Sequence, residues 1–392
     1  MSVRLYSVAS KHVPALAKPF GLKRQMHFCM AISNLSAYGG LQRDCYSIAK
    51  HLVSAGHRVT LMTTEVRGAI TNPGWSVNIV KRHIPTNPGR EAALGRALMS
   101  RRREFDRIVG FNKLPLLDVY YSGDRSYSVV KTEFWRPFSP RYRSQMRLEQ
   151  ACFEPKSQTR LIMLTADQQS EYQRVWKTPD GRFRHVPPNL DPSRRRPDLR
   201  DDGTRERIRS ELGIARDAKV WLSVGSSPWV KGFDRVAAAL HAYPDAMWIV
   251  LGVSPDGGMA RWLRRLIPAR DRSRLVLGGI RSDVPAVMAA ADVLVHPART
   301  ETTGTVIIEA IANGLPVIAS ETCGFSSFVR QAKAGIVIEG EYEQRALIHA
   351  LDAARSASRL ASWSSSAIRF GADPALSSGH AEAASLIAGN LW

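Results

Sequence analysis

In the second half of the chain, short apolar runs return at regular intervals, each followed by a helical pattern. The runs are Val220 to Val224, Trp248 to Val253, Leu275 to Leu277, Val293 to His296, Val317 to Ala319 and Ile336 to Ile338. Strands this short and this apolar are buried on both faces, and the helices between them leave only parallel pairing. The first half repeats the logic. His27 to Ser33 reads as a strand, Tyr38-Gly39-Gly40 as a turn, Leu41 to Ser54 as a helix closed by Gly56, and Arg58 to Thr64 as a second strand. Further strands are expected at Val77 to Val80, Arg107 to Phe111, Val119 to Ser122, Leu161 to Thr165 and His185-Val186.

The chain has 392 residues, 44% of them hydrophobic, which suits two globular domains. The expected layout is a basic extension over 1–25, an N-terminal Rossmann-like domain over 26–190, and a polar linker over 191–206. A C-terminal Rossmann-like domain follows over 207–360, then a helical segment over 361–392 that could cross back to the first domain. Residues 1–23 are basic with no acid and no continuous apolar core, so they are not read as a secretory signal. A disordered arm, a start at Met26 and an Arg-rich transit peptide stay open. No apolar run approaches the ~20 residues that span a bilayer. Cys29, Cys45, Cys152 and Cys323 show no metal-ligand or redox spacing, which points to buried thiols in a reduced compartment.

The chemistry concentrates between Ala298 and Ala310. Val293 to Pro297 leads into a Thr303-Gly304 turn and a helix with Val306, Ile307, Ala310 and Ile311 at helical spacing. Glu301 precedes that helix and Glu309 sits in its body. A helix N-terminus seats phosphate. Carboxylates there would repel phosphate, so they are expected to bind hydroxyls of an attached sugar or ribose. Gly225-Ser226 and Lys231-Gly232 end the first strand of the same domain, where a lysine can reach a pyrophosphate as a point charge. The Gly39-Gly40 pair lacks the third glycine of the dinucleotide fingerprint, but it lets backbone approach a ligand.

These motifs resemble the retaining nucleotide-sugar glycosyltransferases of the two-Rossmann-domain GT-B fold. They are the E-x7-E pair after His296-Pro297-Ala298, the Gly-Ser and Lys-Gly-Phe-Asp-Arg stretch, and Gly314 to Ile318. Tyr38 to Asp44, Gly110 to Lys113, Leu117 to Tyr121 and Cys323-Gly324 narrow the likeness to the lipopolysaccharide core glucosyltransferase I family. That resemblance implies glucose transfer from UDP-glucose to an inner-core heptose. It implies that Gly39 and Gly40 let donor and acceptor meet, and that Asp44 contacts the acceptor or the transferred sugar. Lys231 would neutralise the diphosphate. Glu301 would bind glucose hydroxyls, backbone N–H groups of Thr303, Gly304 and Thr305 the phosphates, and Glu309 the ribose. Asp124 would lie near the sugar. Many relatives carry Arg before the lysine, where this chain has Val230. Either Arg194 or another linker cation replaces it, or turnover is weak, or the donor differs.

No acidic pair accompanies the phosphate site, so no cofactor and no obligatory metal are expected. An inverting enzyme would need a base, for which Asp44 or Asp124 could serve, while the resemblance favours retention. The net charge of +20 predicts attraction to polyanions, with no signature of specific nucleic-acid binding. The segment from Arg125 to Arg143 interleaves basic and aromatic residues. Lys131, Trp135, Arg136, Arg141 and Tyr142 are its expected membrane-facing residues, suited to an anionic surface on the cytoplasmic face of the inner membrane. Another nucleotide sugar, an exopolysaccharide acceptor, a sugar-nucleotide epimerase and a non-catalytic polyanion binder are the competing readings.

Overall fold

The computed structural model describes residues 24–36, 39–68, 74–81, 86–128 and 139–389. Its strands in chain order are β1 His27–Ala31, β2 Leu35–Ser36, β3 Arg58–Thr63, β4 Val66–Arg67, β5 Ser76–Ile79, β6 Arg107–Gly110, β7 Val119–Ser122, β8 Arg160–Met163 and β9 Phe183–His185. The second domain adds β10 Lys219–Val224, β11 Ala246–Leu251, β12 Leu275–Gly279, β13 Val293–His296, β14 Val317–Ser320 and β15 Gly335–Ile338. Two parallel sheets result, one in the order β5-β3-β1-β6-β7-β8-β9 and one in the order β12-β11-β10-β13-β14-β15. This is the expected pair of Rossmann-like domains. A small parallel pair, β2 with β4, was not foreseen, because two-residue strands leave no periodicity to read.

The strands read as unbroken apolar runs because both faces are covered. Phe28 and Met30 of β1 face one layer of helices, and Cys29 and Ala31 face the other. In the second sheet Leu222 and Leu294 face one side and Trp221, Val293 and Val295 the other. All four cysteines are buried free thiols. Strand order reverses between β1 and β6 in one sheet and between β10 and β13 in the other. Ligands bind in the crevice outside the carboxyl ends of the strands at such a switch point. The two motifs read around Lys231 and Glu301 follow β10 and β13, so they flank that crevice.

One segment departs from the sequence reading, and another gains detail. The polar stretch 191–206 lies against the C-terminal domain, and the helix Thr204–Glu211 begins inside it. The Arg196 N–H donates to Asn313 at 2.7 Å, and the Arg205 guanidinium pairs with Asp292 at 2.6 Å. Arg195, Arg200 and Arg205 donate to carbonyls of the segments they pack on, a need that composition does not reveal. The helical tail is divided in two. Ala357–Gly371 packs on Thr305–Ala312, where a Cβ on Gly371 would come within 2.5 Å of Ala312. Pro374 cannot continue a helix, so the chain turns there and resumes as Gly379–Ile387. That last helix lies on the N-terminal helix Gly40–Ser54, with Ala383, Leu386 and Ile387 in the core beneath it. The two crossing segments run side by side, Leu190 N–H donating to Leu376 carbonyl at 2.7 Å.

Candidate functional site

The loop after β10 folds back on itself, Lys231 N–H donating to Ser227 carbonyl at 3.0 Å. Gly232 follows with φ of 71°, and a Cβ there would stand 2.0 Å from the Pro297 carbonyl oxygen. Only glycine lets the two loops press together, and that contact carries Lys231 to the turn after β13. The lysine stem crosses Gly225, whose missing side chain leaves the room. Its ammonium meets the Glu301 carboxylate in an ion pair between two half-buried side chains. Burial alone draws the Lys231 pKa down, and the carboxylate in contact opposes that. His296 lies beneath, fully buried, with Nε2 at 3.5 Å from Glu301. Burial, then the Lys231 charge, pushes its pKa down to about 3, so the imidazole is neutral at physiological pH.

Glu301 is held by its backbone. Its N–H donates to Thr322 carbonyl at 3.3 Å, and its carbonyl accepts from Gly324 at 3.2 Å. A Cβ on Gly324 would stand 2.0 Å from the Thr302 carbonyl, which explains the Cys323-Gly324 motif as a close backbone approach. Gly304, with φ of 80°, opens the eight-residue helix Thr305–Ala312 without a side-chain cap. Thr303, Gly304 and Thr305 thus stand beside the Lys231–Glu301 pair. Glu309, 8% exposed, points from that helix toward the N-terminal domain, where the Arg43 guanidinium is 3.9 Å away. Burial raises its pKa, and the charges of Arg194 and then Arg43 oppose the rise.

The charge of Arg194 thus acts on Glu309. Beside Val230 stands Arg299, its guanidinium stacked 3.5 Å above the Trp229 ring and paired with Asp234 at 2.7 Å.

Across the cleft, Gly39 has φ of 132° and a Cβ there would meet Gln42, while Gly40 offers bare backbone at the start of its helix. Asp44 lies one turn on. Its carboxylate accepts from Tyr121 hydroxyl at 3.3 Å and meets His380 Nε2 at 2.9 Å. Gly40, Arg43 and Asp44 line one pocket with Thr305, Glu309 and His380. Asp124 does not join them. Its carboxylate is taken by Lys113 at 3.1 Å and Tyr120 at 2.5 Å, a framework contact that a lone aspartate at a strand end does not announce. Of the residues expected to face a membrane, Lys131, Trp135 and Arg136 lie outside the described residues, as does Tyr38. Arg141 and Tyr142 open the helix Pro140–Phe153, Arg141 exposed and Tyr142 partly so.

Sequence reasoning missed Arg43, Tyr121, His296 and His380 as parts of the site. The first three stand inside quoted motifs; His380 lies in an Ala-rich tail with no signal at all.

The lipopolysaccharide glucosyltransferase WaaG of Escherichia coli (strain K12) is 33% identical over 366 residues, which cover 90% of this chain and 96% of that protein. The chain belongs to this family. The pattern described as glycosyl transferases group 1 matches residues 204–365, the domain that carries Lys231 and both glutamates of the E-x7-E pair. The crystal structure of WaaG, a glycosyltransferase involved in lipopolysaccharide biosynthesis, superposes with a TM-score of 0.85 at 31% identity, covering 92% of this chain and all of that one. HepE of Anabaena in complex with UDP-glucose superposes at 0.70 with 16% identity, over 94% of this chain and all of that one, and shares the fold.

In this WaaG-family chain the Asp44–His380 contact joins residues 336 apart in sequence. His380 is 4% exposed and its imidazole orients the Asp44 carboxylate in the cleft. Its replacement by alanine is expected to lower kcat by about 10- to 100-fold, the scale of a misplaced reacting group. KM for the donor should change little, and glutamine should restore part of kcat. A donor KM that rises while kcat holds would contradict this.

Proposed function

We propose that this protein transfers glucose from UDP-glucose to an inner-core heptose of lipopolysaccharide, with retention of configuration and without a metal ion. The observation that carries the reading is the Lys231–Glu301 pair at the start of the Gly304-capped helix, opposite Gly40 and Asp44. The two charges satisfy each other. An entering donor would part them, placing its diphosphate on Lys231 and its glucose hydroxyls on Glu301. Glu309, with Arg43 and Arg194 to balance it, would take the ribose.

The strand ends beside Gly225 would take the uracil. Gly225, Gly252 and Gly279 end three adjacent strands, and a Cβ on Gly252 would stand 2.8 Å from the Gly225 carbonyl group. Ile280, 76% exposed, follows at the edge.

As the glycosidic bond breaks, negative charge grows on the departing phosphate. Lys231 and the backbone N–H groups at Thr303 to Thr305 would stabilise it as preorganised electrostatics. That counter-charge is why we propose no metal requirement. The acceptor hydroxyl would attack from the face the phosphate leaves, giving its proton to a phosphate oxygen. Asp44, held by Tyr121 and His380, would orient the reacting sugars and not act as the base. The identity to a lipopolysaccharide glucosyltransferase supports the choice of donor sugar and acceptor class. No helix among the described residues is long and apolar enough to cross a membrane. We place the enzyme peripherally, on the cytoplasmic face of the inner membrane.

The test is calorimetric titration with a panel of nucleotide sugars, each with and without EDTA, followed by product analysis. UDP-glucose should bind at least tenfold tighter than the GDP- and dTDP-linked sugars, and glucosylated heptose should form in EDTA. A preferred donor of another base, loss of transfer in EDTA restored by Mg²⁺ or Mn²⁺, or turnover of the nucleotide sugar without acceptor, as an epimerase would show, would overturn it.

A further inference from the structure

The helix Gly258–Leu266 carries more apolar surface than its fold uses. Ala260 and Leu263 are fully buried and tie it to the core of the C-terminal domain. Beside that stripe runs a second one, Met259, Trp262 and Leu266, at spacings of three and four. Met259 is 49% exposed and Leu266 39% exposed. On the remaining side Arg261, Arg264 and Arg265 are exposed. From residue 252 to residue 270 the only acid is Asp256, against Arg261, Arg264, Arg265 and Arg270. Asp271, the next one, is turned inward onto Arg274 and His241.

Trp229 continues the patch. It is 57% exposed, and its ring stands edge-on to Trp262 with centroids 6.4 Å apart. The guanidinium of Arg299 covers one of its faces. Trp229 and Arg299 also line a pocket with Arg125 and Ser126 of the N-terminal domain. Arg125 is hydrogen-bonded across the cleft to Thr300 at 3.4 Å. It is also the first residue of the segment expected to face a membrane. Arg125 of the N-terminal domain and Trp229 of the C-terminal domain therefore border the same pocket.

We propose that the helix Gly258–Leu266 and Trp229 form a second membrane-docking surface, which lays the C-terminal domain on an anionic lipid headgroup layer. An amphipathic element with an arginine flank and an apolar flank lies in the plane of the interface, its apolar side in the headgroup–acyl boundary. Indole rings prefer that depth, and arginine stems extend their charge to the phosphates. Charge complementarity selects the occupant: four arginines against one aspartate fit a surface of lipid phosphates. With both domains seated, a lipid-anchored acceptor would enter the pocket between Arg125 and Trp229 without leaving the membrane. This purpose rests on the glycosyltransferase reading above; the docking itself does not.

The test is co-sedimentation of the full chain with acceptor-free vesicles, either phosphatidylcholine alone or phosphatidylcholine with phosphatidylglycerol. The wild type should bind the anionic vesicles in a salt-sensitive way. The triple variant Arg261→Gln, Arg264→Gln, Arg265→Gln should lose about fivefold in partitioning per arginine at low salt. Met259→Ser with Leu266→Ser should weaken the binding that survives at high salt. UDP-glucose affinity by calorimetry should be unchanged in both, which separates this surface from the donor site. Unaltered partitioning of the triple variant, or equal wild-type binding to neutral vesicles, overturns the proposal. So does a second copy of the chain as the occupant, seen as self-association that the variants abolish while vesicle binding persists.

Discussion

Replacing Glu301 by alanine is expected to lower kcat/KM for glucose transfer by about a thousandfold or more while leaving the fold and the affinity for UDP intact. The carboxylate sits where a glucosyl group would present its hydroxyls, and charged hydrogen bonds in a shielded cleft have effects of this order on the transition state. The backbone of Glu301 is held by Thr322 and Gly324, so the turn does not depend on the side chain. Loss of the carboxylate also releases Lys231 from its resting partner. UDP should therefore bind as well as before, or better, even as transfer fails. Steady-state kinetics beside UDP calorimetry reads both. Near-normal turnover would show that Glu301 does not hold the sugar; loss of UDP affinity in step with turnover would mean that the residue supports the pocket as a whole.

Breaking the Lys113–Glu149 pair is expected to be the most destabilising single change in the N-terminal domain. The ammonium lies 3.0 Å from the Glu149 carboxylate, with both side chains shut away from water. Lys113 also meets Asp124, donates to the Arg125 carbonyl, and lies 3.9 Å from the Tyr127 ring centroid. These partners hold its pKa well above the ordinary lysine value even though burial pulls the other way. Glu149 further accepts from Ser126, Tyr127 and Trp176, which ties the chain after β7 to two helices. Removing Glu149 leaves the buried ammonium with only the partly exposed Asp124 as its counter-charge, and breaking a buried pair costs about 3–5 kcal/mol. Glu149→Leu should thus reduce stability by that amount in denaturant unfolding followed by fluorescence. Adding Lys113→Met should recover part of the loss, because no buried charge is then left unpaired. A double variant as unstable as the sum of the singles would contradict the pairing.

Much of the architecture was legible in one dimension. Buried parallel strands are short and apolar throughout, and the helices between them keep a 3.6-residue rhythm, so the sheets could be read from Val220, Val293 or His27 onward. The loops after β10 and β13 were legible for a related reason. A helix N-terminus opened by Gly304 and a lysine after Gly225 are local arrangements, determined by a few adjacent residues. Periodicity gave the helical character of the Ala-rich tail but not the break at Pro374, which divides it into two helices. Polar composition over 191–206 read as a linker because side chains that satisfy carbonyls of their own domain look, in sequence, like side chains that face water.

What the sequence by itself determined is the identity of the elements and the chemistry at the end of each strand. The tertiary structure alone decided which of those ends meet. Strand order reverses at β1 and β10, which brings Lys231 to Glu301, 70 positions apart in sequence. The crossing of the tail brings His380 to Asp44, while Asp124 is drawn away to Lys113. Such pairings depend on long-range burial and on charges seeking partners where water is absent, and no spacing along a chain records them.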